Sequence, residues 1–342
     1  MPTDIIGGRV ASESVARVTE ETAERLARHR LRPRAIVLPR RGEITKRAFV
    51  RPDQAGWLCG TGCLKIELAG NVLLPEFLYY FMEQRHVGQW LEQHAVGTTM
   101  LNLSAGIVGN LPVRYPDPDV QFEIASVLCC YDDLIENNRR RTALLEESVR
   151  LLYQEWFVRL RFPGHERVPV VDGVPEGWRR VTLGDYAVLN YGKALKVEDR
   201  VDGPIPVYGS SGVIGSHNKA LVTAPVIVVG RKGNVGSVFW CPTDLWPIDT
   251  VYFISGELAD LWLFHTLRLT PFMSTDVAVP GLNRDFAYSR QLLVPEAGIR
   301  RAFLETAAPV YQQIGKLSEM NSQLGAAREL LLPRLMSGAI VV

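Results

Sequence analysis

Residues 120–157 read VQFEIASVLCCYDDLIENNRRRTALLEESVRLLYQEWF, and the spacing of their apolar positions decides the fold. Steps of four and three connect Ile124, Leu128, Tyr131, Ile135, Asn138, Thr142, Leu145, Val149, Leu152 and Trp156. That is the seam of a helix packing on another helix, with Glu136, Arg140, Glu146 and Arg150 off it. Pro116 and Pro118 stand just before it, where proline is tolerated near a helix start. At ~1.5 Å per residue the helix is roughly 60 Å long. A seam so narrow on a helix so long needs a partner.

The C-terminal stretch supplies one. Phe303, Ala307, Val310, Ile314, Leu317, Asn321, Leu324, Arg328, Leu331 and Leu335 repeat the same spacing. Pro309 is expected to kink or restart this second helix, because an interior proline costs ~3 kcal/mol. Pro333 and Gly338 mark its end. Each seam carries one asparagine, Asn138 and Asn321, which either fixes register or sits at the seam's edge.

The segments before the two helices resemble each other. Pro39-Arg40-Arg41-Gly42-Glu43-Ile44, then Ala48-Phe49-Val50 and Trp57, answer Gly230-Arg231-Lys232-Gly233-Asn234-Val235, then Val238-Phe239-Trp240 and Trp246. Phe77-Leu78-Tyr79-Tyr80 answers Trp262-Leu263-Phe264-His265, and Leu101-Asn102-Leu103 answers Leu282-Asn283-Arg284. Leu111-Pro112-Val113 and Leu293-Val294-Pro295 lead into the long helices. The chain therefore reads as two copies of a globular unit plus a long helix. Within each copy, Ala35–Leu38 and Val226–Val229 suit buried strands that end at a basic Gly turn, with further strands at Cys63–Leu68 and Thr250–Ile254. Leu74–Glu92 and Leu258–Leu269 read as short helices, and the Pro- and Gly-rich run Arg161–Gly177 as a linker. The expected divisions are 1–116, a first recognition unit; 117–160, a helix; 161–177, a linker; 178–297, a second unit; and 298–338, a second helix. The fold class is α+β: two mixed α/β domains separated by two long antiparallel helices forming a coiled coil.

Other classes are disfavoured. Thirty-eight Lys and Arg against 37 Asp and Glu leave a charge of +1, and 47% hydrophobic content excludes wholesale disorder. The five cysteines form no disulfide or zinc framework; Cys59 and Cys63 lack a second pair. No apolar run is long enough to span a bilayer and the N-terminus lacks a signal layout, so a cytoplasmic protein without membrane contact is expected. Neither a phosphate-binding loop, nor a dinucleotide fingerprint, nor a nucleophile elbow occurs. His29, His217 and His265 are the histidines placed to reach a ligand, with packed or solvated roles as the plainer reading.

Charge is instead concentrated locally. Arg28, Arg30, Arg32, Arg34, Arg40, Arg41, Lys46, Arg47 and Arg51 face a single acid, Glu43, within Arg28–Arg51. A solvated basic face is the ordinary explanation. The repeat favours another, because paired cations stand at matching Gly turns in both copies, and such pairs suit phosphate contact or guanine reading. In the second copy Tyr191, Lys193 and the Tyr208–Lys219 loop, with Ser210, Ser211, His217 and Asn218, add donors beside Arg231, Lys232 and Asn234. In the first, Arg40, Arg41, Lys46 and Arg47 are the counterparts. Glu43-Ile44-Thr45 differs from Asn234-Val235-Gly236, so two such heads would read unlike half-sites.

These residues resemble one family, the specificity subunits of type I restriction-modification systems. The resemblance rests on Gly177-Trp178 with Leu183-Gly184-Asp185, Tyr208-Gly209-Ser210-Ser211-Gly212, Gly230-Arg231-Lys232-Gly233, Trp246-Pro247-Ile248-Asp249-Thr250 and Leu330–Gly338. Gly97–Leu103 and Asp132-Asp133-Leu134-Ile135-Glu136-Asn137-Asn138 extend it over nearly the whole chain. It implies a non-catalytic subunit that reads a bipartite asymmetric site in double-stranded DNA through two target-recognition domains. It further implies docking of two modification subunits, which methylate adenine at N6 with S-adenosylmethionine, and of restriction subunits using ATP and Mg; no cofactor is expected in this chain. The surfaces of the long helices and of Leu74–Glu92 would hold the methyltransferases, and Leu128, Ile135, Asn138, Leu145, Ile314, Leu317, Asn321 and Leu324 would form the coiled-coil seam. The chain departs from the family in lacking a first-copy counterpart of Trp178–Asp185, which leaves the first domain shortened. The rival expectation is a scaffold that binds methyltransferases through its helices and reads no DNA.

Overall fold

The computed structural model describes residues 1–11, 15–97, 100–272 and 281–341. Two long helices dominate it, α5 (Pro118–Tyr153) and α9 (Ala297–Met336). α5 ends in a π-helical turn, Gln154–Val158. α9 runs unbroken through Pro309, contrary to expectation. Pro309 and Glu305, whose carbonyl loses its donor, are both exposed, so water satisfies the freed group. The chain divides into two compact units, Met1–Asn137 with Met320–Val342, and Asn138–Glu319. The sequence-based divisions fall elsewhere because each unit takes half of each long helix.

The first unit opens with a hairpin, β1 (Ile5–Ile6) and β2 (Arg9–Val10), and a short helix, α1 (Glu20–Arg25). Its sheet has β3 (Ile36–Pro39) between β4 (Ala48–Phe49) and β5 (Cys63–Ile66), all antiparallel. The helical stretch expected over Leu74–Glu92 is two helices, α2 (Pro75–Phe81) and α3 (Arg85–His94), and α4 (Ala105–Gly109) follows. Leu38, Ile44, Phe77, Leu91 and Leu103 form one core with Ile124 and Leu128 of α5 and Leu332 and Leu335 of α9. The helix halves run antiparallel here: Ile124 and Leu128 share that core with Leu332 and Leu335, while the Asn321 amide donates to the Ile135 carbonyl at 3.2 Å. That bond satisfies a polar seam residue across the helix pair, as a register-fixing asparagine requires.

A buried ionic network ties this unit together. Arg328 of α9, 9% exposed, gives two hydrogen bonds to Glu83 (2.9 and 2.6 Å) and its Nε lies 2.7 Å from Asp132 of α5. Arg47 reaches Glu83 at 2.8 Å, the Tyr80 hydroxyl donates to Asp132 at 2.8 Å, and Arg9 pairs with Glu136. Burial pushes the Glu83 carboxyl up, but hydrogen bonds from Arg328 and the charge of Arg47 bring it below the ordinary glutamate value.

The second unit contains the hairpin β6 (Val170–Val171) and β7 (Val174–Pro175), so the expected linker has structure of its own. β8 (Arg179–Thr182), leading into α6 (Leu183–Tyr186), pairs with β16 (Gln291–Val294). One sheet orders β13 (Val238–Cys241), β12 (Val226–Gly230), β15 (Val251–Ser255) and β9 (Asn190–Tyr191), antiparallel throughout. Another orders β11 (Gly212–His217), β10 (Ile205–Gly209) and β14 (Trp246–Pro247). α7 (Leu261–Leu269) is buried over seven residues, and α8 (Arg284–Tyr288) follows. Trp178, Leu183, Trp262 and Leu263 pack with Val149, Tyr153 and Phe157 of the α5 arm and Phe303 and Ala307 of α9. Leu317 and Asn138 are buried, while Leu145 and Ile314 are half-buried; in the first unit Leu128 is buried and Leu324 half-buried.

The repeat survives with two adjustments. The residue matching Leu282 is Leu103, not Leu101, because both donate to the carbonyl of the basic turn and precede a capping side chain, Asn283 or Ser104. Leu111–Val113 forms no strand, whereas β16 does. Its partner in the second unit is β8, which has no counterpart in the first unit among the described residues.

Candidate nucleic-acid interface

In the second unit the site grows from β12. Val226–Val229 are fully buried between β13 and β15, and the strand can end only where Gly230 lets the chain fold back. A Cβ at Gly230 would lie 2.2 Å from the Asn234 carbonyl oxygen, so no other residue fits. The next residues are pinned through their backbone: the Arg231 and Lys232 amides donate to the Thr250 carbonyl at 2.9 and 3.1 Å, and the Arg231 carbonyl accepts from Leu282 at 2.7 Å. Gly233 supplies the left-handed φ of 75°. The side chains of Lys232 and Asn234 point outward from a rigid loop.

Arg231 is held at this rim. Its guanidinium donates to the Asp249 carbonyl at 3.2 Å and lies 5.1 Å from the Tyr191 ring and 5.7 Å from that of Tyr252. Arg284 approaches the Tyr191 ring at the same 5.1 Å. Tyr191, half-exposed, is thus a shared aromatic seat for two cations. Sequence reading missed Arg284: it opens a five-residue helix after Asn283, and nothing local shows that the chain returns to Tyr191. Lys193 is exposed beside them, its carbonyl accepting from the Trp246 indole at 2.9 Å.

The Tyr208–Lys219 loop divides. Ser211, Asn218 and Lys219 are exposed. Ser210 is 8% exposed and accepts from the Asn234 amide at 3.3 Å, while its carbonyl accepts from the Ser237 hydroxyl at 2.6 Å. It fastens the hairpin to the basic turn and is not free to meet a ligand. His217 is buried too; its Nδ1 accepts from the Val201 amide at 3.1 Å and its ring stands edge-on to Trp246. Tyr208 packs on Phe239, and burial raises its hydroxyl well above the usual range. These three candidates are structural. Among the other histidines, His29 lies 2.9 Å from Arg28 Nε. His265 meets the Tyr311 hydroxyl, and burial pulls its pKa down to about 3.

The first unit repeats part of the turn's bonding, although Pro39 lacks the amide that Gly230 donates to the Ser237 carbonyl. The Arg40 carbonyl accepts from Leu103 at 2.8 Å, as the Arg231 carbonyl does from Leu282, and Gly42 takes a φ of 79°. The charge count around it changes, however. Arg30 pairs with Glu20, Arg34 with Glu76, Lys46 with Glu43, Arg47 with Glu83 and Arg51 with Asp133. Five of nine cations are neutralised, mostly by acids distant in sequence. Arg47 is half-buried in the network, donates to the Tyr79 carbonyl at 3.0 Å and is removed from the candidate site. Lys46 keeps its solvent exposure but not its free charge. Arg40 and Arg41 have no carboxylate partner among the described residues, and neither have Lys193, Lys219, Arg231, Lys232 and Arg284. Of the sequence motifs, Thr98 and Thr99 lie outside the described residues, and Asp132, Asp133 and Glu136 are spent on Arg328, Arg51 and Arg9.

A family model for the type I restriction modification DNA specificity domain matches residues 35–147. The type I restriction enzyme MjaIX specificity subunit of Methanocaldococcus jannaschii is 30% identical over 303 residues, 79% of this chain and 70% of that one. The HindI specificity subunit of Haemophilus influenzae is 28% identical over 112 residues, 32% of this chain and 24% of that one. A crystal structure of a type I restriction-modification S subunit from M. genitalium is similar in fold, with a TM-score of 0.55 at 18% identity over 88% of this chain and 82% of that one.

Proposed function

The chain belongs to the specificity subunits of type I restriction-modification systems, and from that premise we propose that each unit reads one half of a bipartite, asymmetric site in double-stranded DNA. The observation that carries this is the set of seven cations without carboxylate partners, among the described residues, gathered on two equivalent rigid turns and their flanks. Other cations, Arg32, Arg179 and Arg268 included, also lack a carboxylate among the described residues; what sets these seven apart is their place on and beside the two basic turns, where an external polyanion can meet each turn's cations together. Phosphate contacts by Lys193, Lys219, Arg40 and Arg41 set affinity; Arg231, Lys232 and Asn234, held by their backbones, set sequence.

Catalysis belongs to partners. S-adenosylmethionine is assigned to two modification subunits that methylate adenine at N6, and ATP with Mg to restriction subunits. Docking is proposed on the long helices, where Leu144, Leu151 and Val158 recur every seven residues at 70, 47 and 57% exposure. α2 offers no such face, since Phe77–Phe81 are all buried.

The test is reconstitution with modification subunits. Arg231→Ala with Lys232→Ala leaves assembly intact and abolishes site-specific methylation and sequence-selective gel retardation. Unchanged methylation refutes the assignment, and assembly of the unaltered chain without selective retardation favours the scaffold.

A further inference from the structure

The second unit flanks its basic turn with β9 and the β10–β11 hairpin, clamped on by Ser210. The first unit has no counterpart of these strands among the described residues. Its turn is packed by a helix, α3, through Ile44 and Thr45, the positions matching Val235 and Gly236 and not the Asn234 that Ser210 holds. Ile44 of the turn, 2% exposed, packs with Val87 and Leu91 of α3, each 1% exposed. Gly88 brings the helix against Thr45, whose methyl would lie 3.4 Å from a Cβ at that position. Beyond the helix, Val96 bridges to Asn102, which also bridges to Arg41. The turn is therefore held by both the body and the exit of α3.

What α3 shows to water is polar. Arg85, His86, Gln89, Glu92, Gln93 and His94 are exposed, and Arg85, Gln89 and Gln93 follow one another at intervals of four on one face. His94 stacks on Trp90 with ring centroids 3.9 Å apart and lies 2.8 Å from the Trp90 carbonyl, which stiffens the last turn. Side chains four apart on a helix stand about 6 Å apart, close to two base steps of ~3.4 Å. A glutamine amide matches the donor and acceptor of adenine in the major groove, and an arginine the two acceptors of guanine.

We infer that α3 is the base-reading element of the first unit, lying along the major groove with Arg85, Gln89 and Gln93 toward the bases and Arg40 and Arg41 on the adjoining backbone. This rests on the proposed DNA-reading function and specifies it. The two units then read DNA by different devices built on one turn, a loop and hairpin in the second and a helix in the first.

The experiment maps methylated adenines produced by the full chain reconstituted with its modification subunits, comparing unaltered protein with Gln89→Ala plus Gln93→Ala. Alanine is the strongest helix former, so α3 persists, and circular dichroism and complex size check this. The expected result is normal assembly, a motif degraded in one half only, and a rate at the original site lowered by at least about 25-fold, since each bidentate glutamine–adenine pair removed is worth about 5-fold or more. Arg231→Ala with Lys232→Ala degrades the other half. An unchanged motif and rate in the glutamine variant overturns the role of α3 alone, and loss of assembly makes α3 a protein-docking surface and overturns it as well. Failure of the unaltered chain to direct any selective methylation removes the DNA-reading function and this inference together.

Discussion

Replacing Arg328 with methionine removes the hub of the first unit's ionic network. The side chain is 10% exposed and serves Glu83 and Asp132, which are 26% and 27% exposed. Deleting one member of a buried pair typically costs about 3–5 kcal/mol, because the remaining charge is left without compensation. Here the orphans keep partial support: Glu83 retains Arg47 at 2.8 Å, and Asp132 retains the Tyr80 hydroxyl at 2.8 Å. The lower end, about 3 kcal/mol, is therefore expected at pH 7. Its pH dependence has a definite sign. Glu83 has a lowered pKa in the folded protein, so its contribution is present above the unfolded value of about 4.3 and disappears as pH falls through the folded one. The difference between wild type and Arg328→Met must then shrink on acidification below about pH 4. Amide hydrogen exchange read separately in α2 and in Leu324–Met336, across this range, measures it. A cost below about 1 kcal/mol at pH 7, or one that grows on acidification, refutes the assignment of stability to this network.

Three further outcomes follow from the site. Sequence-selective binding weakens by about 10² between 50 and 200 mM salt if Lys193, Lys219, Arg40 and Arg41 meet phosphates, and removing Lys193 and Lys219 lowers the logarithmic slope by about 2; a salt-independent affinity in mobility-shift titrations contradicts this. Gly230→Ala drives a Cβ into the Asn234 carbonyl and should abolish selective methylation while leaving assembly with the modification subunits, as size-exclusion chromatography would show. Burial pushes the Cys241 thiol up to about 12 and that of Cys59 up to about 11, so iodoacetamide at pH 8 should label exposed Cys130 long before either, with peptide mass spectrometry reporting the order.

The long helices were legible because a four-three seam is a local, redundant signal, and so was the duplication, since Arg-Arg-Gly and Arg-Lys-Gly end similar apolar runs. The turn geometry at Gly42 and Gly233 followed from residue type. What sequence could not show was pairing at a distance. Arg47 and Arg51 read as free charge because Glu83 and Asp133 lie far along the chain, and Arg284 read as nothing because Tyr191 does. Ser210 and His217 carry donors suited to a ligand, yet burial commits both to internal bonds, Ser210 with Asn234 and His217 with Val201. Pro309 was misjudged for the converse reason: its cost depends on whether the orphaned carbonyl meets water, which only the packed helix reveals.

Because each unit borrows the first half of one long helix and the last half of the other, the protein cannot be halved by a single cut. A fragment ending at Asn137 carries Ile124 and Leu128 bare until Met320–Met336 is supplied as a separate peptide, and it should fold only on that complementation. For the same reason, grafting a foreign head in place of either unit takes two crossovers, one in each helix. One junction alone would join a seam to a mate it did not evolve beside.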